Sequence, residues 1–328
     1  MKGPRIGIPD AMYNRYFYPF IKTFWQEVGF IPVFSAPTNR EILDTGVRAA
    51  VDEACLPLKV YYGHVASLEA MQLDYLMLPR FTSVEERAYL CPKSMGLPYM
   101  VKAEMNLHTP LVIPSIDLSR GDTLFRKELH FWGQRLKISR LRLSRGLQQA
   151  YQAQAAVGSL ARKNQLTYPQ AIQLWDTGTV SHKHVPVPGR ITVGLVGHGY
   201  LTYDDQISLG LTSTLEQMGI RVQTPEMLNH QLVNEYSLKL PKRVFWSLGY
   251  NIMGAALAWQ DRQMVDGIIH ITCFGCGPNS LIGEMLQQNI TQLPLLMLTI
   301  DEHTGQAGQQ TRLEAFIDLL ERKKRHAG

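Results

Sequence analysis

Ile6-Gly7-Ile8-Pro9 near the start of the chain and Val193-Gly194-Leu195-Val196 in its second half are the two apolar runs that indicate the fold most clearly. Each opens a series in which short apolar runs alternate with amphipathic stretches, a pattern typical of parallel α/β proteins. Between the two series, residues 115–168 contain no proline and are rich in Leu, Arg, Gln and Ala, which favours long helices. The sequence therefore predicts an α/β protein with two Rossmann-like lobes, each with a parallel sheet, joined by long helices.

The two series also match each other position by position, which predicts an internal duplication. The matching pairs are Ile6-Gly7-Ile8 with Val193-Gly194-Leu195, Gly29 with Gly219, Asp74 with Asp266, and Pro110 with Pro294. Parallel α/β units resemble one another in general, so the near-constant separation of the pairs carries this prediction more than any single match. The predicted division is an N-terminal α/β lobe over 1–118, a helical connection and linker over 119–189, and a C-terminal α/β lobe with a closing helix over 190–328.

Finer predictions come from hydrophobic spacing and from glycine and proline. The spacing of apolar residues predicts one helix over Tyr13–Val28 and a strand over Pro110–Ile116. A break in the long helices is expected near Gly158. Residues Leu174–Pro188 are predicted to form a loop or linker, because they contain a glycine and two prolines.

Composition and charge exclude several classes of protein. Of the 328 residues, 45% are hydrophobic and 19% are charged, which is typical of chains with packed cores. The net charge of +5 is too small to indicate a nucleic-acid-binding protein. The uncharged stretches are shorter than the ~20 residues of a membrane span, and no secretory signal is visible at the N-terminus. We therefore expect a cytoplasmic protein that binds neither nucleic acid nor membrane.

The chain has four cysteines, Cys55, Cys91, Cys273 and Cys276. They are too few for a disulfide scaffold, and each lies near the predicted end of a strand or start of a helix, where parallel sheets bind ligands. Pro57 and Pro92 mark two of these helix starts. A helix N-terminus stabilises a thiolate and an anionic cluster alike. Three interpretations remain open: a shared iron–sulfur site, a four-cysteine zinc site, and inert buried thiols.

Four further residues are candidate catalytic groups: His64, His198, Glu302 and His303. His64 follows Cys55 closely enough to hydrogen-bond a cluster sulfur or a substrate oxygen. His198 follows the first strand of the second half, and Glu302 with His303 follows the last strand, where such groups transfer protons. Each has a structural alternative. His64 could instead lie on a helix surface or cap a helix. His198 could belong to a hydrogen-bonded loop that caps a helix, and Glu302 with His303 could form an ordered loop.

Several short motifs together indicate a family. They are Ile6-Gly7-Ile8-Pro9, Glu53-Ala54-Cys55-Leu56-Pro57-Leu58-Lys59 with Gly63-His64, Leu78-Pro79-Arg80, Cys91-Pro92, Gly197-His198-Gly199-Tyr200 with Asp204, Phe274-Gly275-Cys276-Gly277-Pro278, and Asp301-Glu302-His303-Thr304-Gly305. From Arg5 to about Leu320 the chain resembles the activase-related relatives of the 2-hydroxyacyl-CoA dehydratase and benzoyl-CoA reductase family.

The resemblance implies a cofactor and its ligands. It implies a 4Fe–4S cluster between two Rossmann-like lobes, held by Cys55, Cys91 and Cys276. Cys273 is the less secure fourth ligand, and without it one iron would be open to a small molecule. Because the chain has only four cysteines, one cluster per chain is expected unless a homodimer shares ligands.

From these observations we expect an iron–sulfur protein for low-potential electron transfer or reductive chemistry in anaerobic metabolism. Its partner would be an ATP-dependent activator, which is an actin-like ATPase, or another redox protein. The segment 194–199 contains glycines but lacks the phosphate-binding spacings, so we expect no ATP hydrolysis by this chain. The alternative is a non-catalytic binding or scaffold protein with a cysteine-bound zinc ion or no metal.

Overall fold

The computed structural model describes residues 3–180 and 191–327. The chain divides into two compact units. We call residues up to 156, together with 245–247, the N-terminal unit, and the remainder the C-terminal unit. The short segment 245–247 belongs to the N-terminal unit through backbone hydrogen bonds between Tyr89 and both Phe245 (3.1 Å) and Ser247 (2.9 Å).

Ten strands and fifteen α-helices form the described chain. The strands are β1 Arg5–Ile8, β2 Ile31–Phe34, β3 Tyr75–Met77, β4 Arg80–Ser83, β5 Leu111–Val112, β6 Ser115–Asp117, β7 Thr192–Val196, β8 Arg221–Gln223, β9 Gly267–Cys273 and β10 Leu295–Ile300. The helices are α1 Met12–Tyr16, α2 Tyr18–Glu27, α3 Arg40–Ala49, α4 Leu56–Glu69, α5 Pro92–Glu104, α6 Thr123–Arg135, α7 Arg140–Asn164, α8 Tyr168–Thr177, α9 Gly199–Thr202, α10 Asp205–Ser208, α11 Leu211–Gln217, α12 His230–Ser237, α13 Gly249–Asp261, α14 Gly277–Asn289 and α15 Gln306–Ala327.

Each unit contains a four-stranded parallel sheet, and the two sheets have the same strand order. The order is β2-β1-β3-β5 in the N-terminal unit and β8-β7-β9-β10 in the C-terminal unit. In both sheets the chain begins at an inner strand, adds a neighbour on one side and then crosses to the other side. This confirms the predicted α/β architecture with Rossmann-like parallel sheets. A small parallel pair, β4 with β6, follows β3 and β5 in the N-terminal unit.

Local hydrogen bonds repeat between the two sheets and support the predicted duplication. In the N-terminal unit, the backbone N–H of Arg5 donates to Asp74 Oδ2 (2.6 Å), and the Asp74 N–H donates to the Arg5 carbonyl (3.0 Å). In the C-terminal unit, Thr192 donates to Asp266 Oδ2 (2.7 Å), and Asp266 donates to the Thr192 carbonyl (2.8 Å). An aspartate at the equivalent position thus joins the first and third strands of each sheet.

A pair of closely packed helices also occurs in both units, between the second and third strands. In the N-terminal unit α3 crosses α4 at Gly63, where an added Cβ would collide with the carbonyl of Ile42. In the C-terminal unit α12 crosses α13 at Gly254, where a Cβ would collide with the carbonyl of Val233. Glycine is required at both crossings because the two backbones touch there.

Two local predictions differ from the structure in the first half of the chain. The helix predicted over Tyr13–Val28 is two helices, α1 and α2, separated at Phe17, because Pro19 lies in the first turn of α2 and favours a new helix start. The strand predicted over Pro110–Ile116 is likewise divided into β5 and β6, with Pro114 between them.

Two predictions around the long helices also need correction. The break expected near Gly158 is absent, since α7 is continuous from Arg140 to Asn164. The loop predicted over Leu174–Pro188 begins later, because α8 continues to Thr177 and ends at Gly178 in a left-handed conformation (φ 73°). Residues 181–190 of that prediction lie outside the described residues. Of the helices in the described ranges, none combines the length and apolar character that a membrane crossing needs.

Candidate functional site

Three of the four cysteines occupy the N-cap position of a helix. Cys55 begins α4, Cys91 begins α5 and Cys276 begins α14, and each helix has a proline in its first turn. Proline suits this turn because its fixed φ matches the helix and it carries no N–H to satisfy. The unpaired N–H groups and the positive end of the helix dipole stabilise a nearby thiolate, and the Cys91 thiol accepts a cap hydrogen bond there.

Cys55 and Cys91 begin neighbouring helices of the N-terminal unit. The ammonium group of Lys93, in the first turn of α5, donates to the backbone carbonyl of Glu53 (2.5 Å), two residues before Cys55. The backbone N–H of Ser94 donates to Cys91 Sγ (3.3 Å). Cys55 is buried and Cys91 is partly buried. The N-terminal unit therefore holds two shielded thiols at adjacent helix starts.

Cys273 and Cys276 form the corresponding pair in the C-terminal unit. Cys273 is the last residue of β9 and is 2% exposed. The backbone turns sharply after it, with Gly275 in the left-handed region (φ 74°) and the Cys276 N–H donating to the Cys273 carbonyl (3.3 Å). Phe274, between the two cysteines, is 73% exposed. This turn lies at the carboxyl end of a central strand, where parallel sheets bind ligands.

Neither pair of cysteines forms a metal centre alone. Across the described residues, no three side chains of His, Cys, Asp or Glu are grouped so that they could hold a metal ion. Each unit supplies two of the four cysteines. The donor chemistry suits an iron–sulfur cluster, because cluster ligands are thiolates and backbone N–H donors stabilise their sulfurs.

His64 is a buried histidine of α4, and its predicted role toward a cluster or substrate stays a prediction. Its Nδ1 lies 2.7 Å from Ser35 Oγ and its Nε2 lies 2.9 Å from Thr38 Oγ1, so both ring nitrogens have hydrogen-bond partners. Burial, and then the charge of Arg15, lower the pKa of His64 to about 3. The ring is therefore neutral at physiological pH. Ser35 also accepts a hydrogen bond from the backbone N–H of Asp10 (2.8 Å), after β1.

The C-terminal unit contains a buried group of polar side chains that we call the C-terminal polar layer: His198, His270, Thr272 and Asn279. Within the described residues, several of their polar atoms have no hydrogen-bond partner. These atoms are His198 Nδ1, both ring nitrogens of His270, Thr272 Oγ1 and both amide atoms of Asn279. Burial, and then His270, lower the pKa of His198 to about 3, and burial lowers the pKa of His270 to about 4.

Strand register and helix spacing explain why these side chains share one layer. His270 and Thr272 alternate along β9 and so point to the same face of the sheet. On that face α14 passes over His270, since a Cβ on Gly283 would lie 3.4 Å from its ring. Asn279 is one turn nearer the start of α14, toward Thr272. Val196 at the end of β7 pairs with His270 of β9. His198 lies two residues after Val196, at the junction of β7 and β9, which is where the strand order of the sheet reverses.

The segment that contains Glu302 and His303 is an ordered turn after β10. Asp301 Oδ1 accepts hydrogen bonds from the His303 N–H (3.0 Å) and from the Thr304 hydroxyl (2.7 Å). The Thr304 hydroxyl is also the main reason that the pKa of Asp301 is lowered. His303 is exposed and Glu302 is partly buried. Their predicted catalytic role stays a prediction.

His270 and Asn279 belong to the C-terminal polar layer but to none of the candidate sites that the sequence motifs predicted. His270 interrupts an apolar strand, Gly-Ile-Ile-His-Ile-Thr-Cys, and a polar residue inside such a run is a usable signal. Asn279 follows Cys276 in Gly-Pro-Asn, where its burial depends on the packing of α14 against β9. Spacing along the chain does not reveal that packing.

Comparison with known proteins adds one finding. The family described as "CoA enzyme activase uncharacterised domain (DUF2229)" matches residues 5–228, which is more than half of the chain. The chain belongs to this family. Its match begins at β1 and ends just after the 3-10 helix Pro225–Met227. No curated protein matches the chain. The resemblance to activase-related proteins is thereby confirmed at the level of the activase family.

Proposed function

We propose that this member of the activase family is an iron–sulfur protein related to the 2-hydroxyacyl-CoA dehydratases and benzoyl-CoA reductases. The observation that carries the proposal is the placement of Cys55, Cys91 and Cys276 as N-caps of three long helices. Inert thiols have no need of such positions, whereas thiolate ligands are stabilised by them.

The proposed ligands are Cys55 and Cys91 from the N-terminal unit and Cys276, with Cys273, from the C-terminal unit. A bound 4Fe–4S cluster would supply one-electron transfer at low potential. The protein's own contribution is electrostatic. The Ser94 N–H that points at Cys91 Sγ is the kind of donor that tunes such a site, and burial of Cys55 and Cys273 keeps water away from the sulfurs.

The family description points to a CoA enzyme as the protein's functional partner. We propose that the protein works in the cytoplasm and receives electrons from an ATP-dependent activator or another redox protein. It passes these electrons on or uses them to reduce a CoA thioester. Four cysteines suffice for one cluster, so the proposal is one cluster per chain, unless a homodimer shares the ligands.

Cysteine-to-serine substitutions test the proposal sharply, because serine is itself a preferred N-cap residue and preserves the helix starts. Cys55→Ser, Cys91→Ser and Cys276→Ser, purified without oxygen, should each lose most of the iron, acid-labile sulfide and visible absorbance of the wild-type protein. Asn39→Ser, which changes the N-cap of α3 and no thiol, is the matched control and should retain all three signals.

The alternative, a non-catalytic binding protein, makes different predictions for the same samples. Stoichiometric zinc without iron, or unchanged metal content in all three cysteine variants, would exclude the iron–sulfur proposal. Cys273→Ser separates the two ligand sets: full iron content in that variant would assign the cluster to three cysteines with one open iron.

A further inference from the structure

An apolar cavity of about 110 Å³ lies inside the N-terminal unit. It is enclosed by one face of the sheet and by α2, α6 and α7. Its floor includes the buried residues Trp25, Met77 and Val112, and its mouth includes Phe20 and Tyr151, which are partly exposed. The cavity is thus bounded by the sheet on one side and opens toward solvent between helices on the other.

The walls of this cavity offer almost only carbon atoms. None of the lining residues is charged. The amide of Gln154 is engaged, since it accepts from the Phe20 N–H and donates to the Tyr16 carbonyl (3.3 Å each). The indole N–H of Trp132 donates to Glu128 Oε1 (3.0 Å). A charged or strongly polar ligand would therefore lose its hydration without finding a partner.

Aromatic rings dominate the lining and contact one another around the cavity. Phe20 packs edge-on against Tyr151 (5.2 Å between ring centroids), stacks parallel to Phe24 (6.4 Å) and tilts against Phe125 (6.2 Å). Such rings favour hydrocarbon contacts and aromatic edge-to-face arrangements. An empty cavity of this kind forfeits dispersion contacts on every wall, which an apolar occupant restores.

Size then limits the occupant. Carbon-walled cavities of roughly 150 Å³ stay dry and accept molecules of the size of benzene. We propose that this cavity is a binding site for a small uncharged hydrocarbon molecule of about that size. The site is separate from the proposed cysteine centre: Ile6 and Ile8 face the cavity side of the sheet, whereas Gly7 faces Leu68 of α4, the helix that Cys55 begins. It therefore does not depend on the proposed function.

The test uses toluene as the probe and benzoate as its charged counterpart. By titration calorimetry and thermal unfolding, toluene should bind the wild-type protein and raise its unfolding temperature. Benzoate should bind at least tenfold more weakly, because its carboxylate has no partner in the cavity. Absence of toluene binding, or equal binding of both compounds, would overturn the proposal.

Two substitutions on one helix locate the binding. Leu129 lines the cavity from α6, whereas Leu124 on the same helix is 44% exposed and outside the lining. Leu129→Trp should weaken toluene binding at least tenfold, and Leu124→Trp should leave it unchanged. Equal affinity in the two variants would refute a site in this cavity. Ile116→Phe, which fills the opposite wall, serves if Leu129→Trp fails to fold.

Discussion

The N-terminal and C-terminal units share one strand order but fill the space beside their sheets differently. When the two sheets are aligned at Asp74 and Asp266, the face that carries Met77 in the first sheet corresponds to the face that carries Gly267 in the second. In the C-terminal unit α15 packs directly on this face, since a Cβ on Gly267 would lie 2.8 Å from Leu320. In the N-terminal unit the same face holds the apolar cavity. The duplicated backbone therefore does not dictate the contents of its side-chain layers.

The buried histidines show the same contrast in polar chemistry. His64 of the N-terminal unit has a hydroxyl partner at each ring nitrogen, whereas His270 of the C-terminal unit has none in the described residues. Burial lowers the pKa of both rings. A satisfied buried histidine stabilises its surroundings, while an unsatisfied one leaves desolvated polar atoms that destabilise the fold. The C-terminal polar layer is thus the region where changes to buried histidines should stabilise the fold most readily or cost it least.

Acidification should give the largest difference between the units. A histidine whose pKa is lowered in the folded state contributes full stability above pH 6.5 and less as pH falls toward the folded value, because only the unfolded chain takes up the proton. Each such residue contributes up to about 1.4 kcal/mol per pH unit. The N-terminal unit has His64, and the C-terminal unit has His198 and His270. Hydrogen exchange should therefore show β9 losing protection faster than β1 between pH 6.5 and pH 5.

One partly buried carboxyl of the C-terminal unit opposes this effect and supplies the control. Burial raises the pKa of Glu226, so its contribution to stability grows as pH falls. Glu226→Gln removes that contribution and should steepen the pH dependence of the C-terminal unit. Equal pH slopes for β1 and β9 in the Glu226→Gln variant would contradict the prediction.

The glycine crossings test a feature that the two units share. Gly63→Ala and Gly254→Ala each place a methyl group against a backbone carbonyl that has no freedom to withdraw, and should lower the free energy of unfolding by about 3 kcal/mol. Gly158→Ala is the matched control. In the middle of α7 its Cβ would meet only the flexible end of Arg162, so the protein should gain about 0.5–1 kcal/mol. Urea unfolding measures all three, and a neutral Gly63→Ala would show that the helices are further apart than described.

Paired histidine substitutions should give the smallest change in the free energy of unfolding, but they compare the two units most directly. His64→Leu leaves the hydroxyls of Ser35 and Thr38 without their imidazole partner and should cost about 1–3 kcal/mol at pH 7.5. His270→Leu removes a buried polar ring without depriving a partner, so it should be neutral or stabilising. Urea unfolding compares the variants. If His270→Leu is as damaging as His64→Leu, a molecule bound in solution hydrogen-bonds to the His270 ring.

Much of the fold was predictable from local patterns, because strands of a buried parallel sheet are short apolar runs. The runs at Ile6 and Val193 and the recurring aspartates were sufficient to predict two similar sheets. The exceptions have local causes. Pro19 divides a helix whose apolar spacing is continuous, and α3 begins at an Asn39 cap in a stretch with few apolar residues.

The candidate site was less predictable, because it depends on contacts between distant residues. Proline after Cys55 and Cys91 correctly indicated helix starts. The sequence did not indicate that Ser35 and Thr38 would satisfy both nitrogens of His64, nor that α14 would lie over His270 of β9. These relations depend on how a helix lies on a sheet, which residue spacing does not specify.

The continuous helix α7 has a practical consequence for dissecting the protein. The boundary between the units falls at residues 156 and 157, inside the hydrogen-bond ladder of this helix, and residues 245–247 return to the first unit late in the chain. Separating the chain at that boundary would leave two frayed helix ends and would remove the backbone hydrogen-bond partners of Tyr89. The two halves repeat each other in strand order, yet a cut at residue 156 separates neither one cleanly.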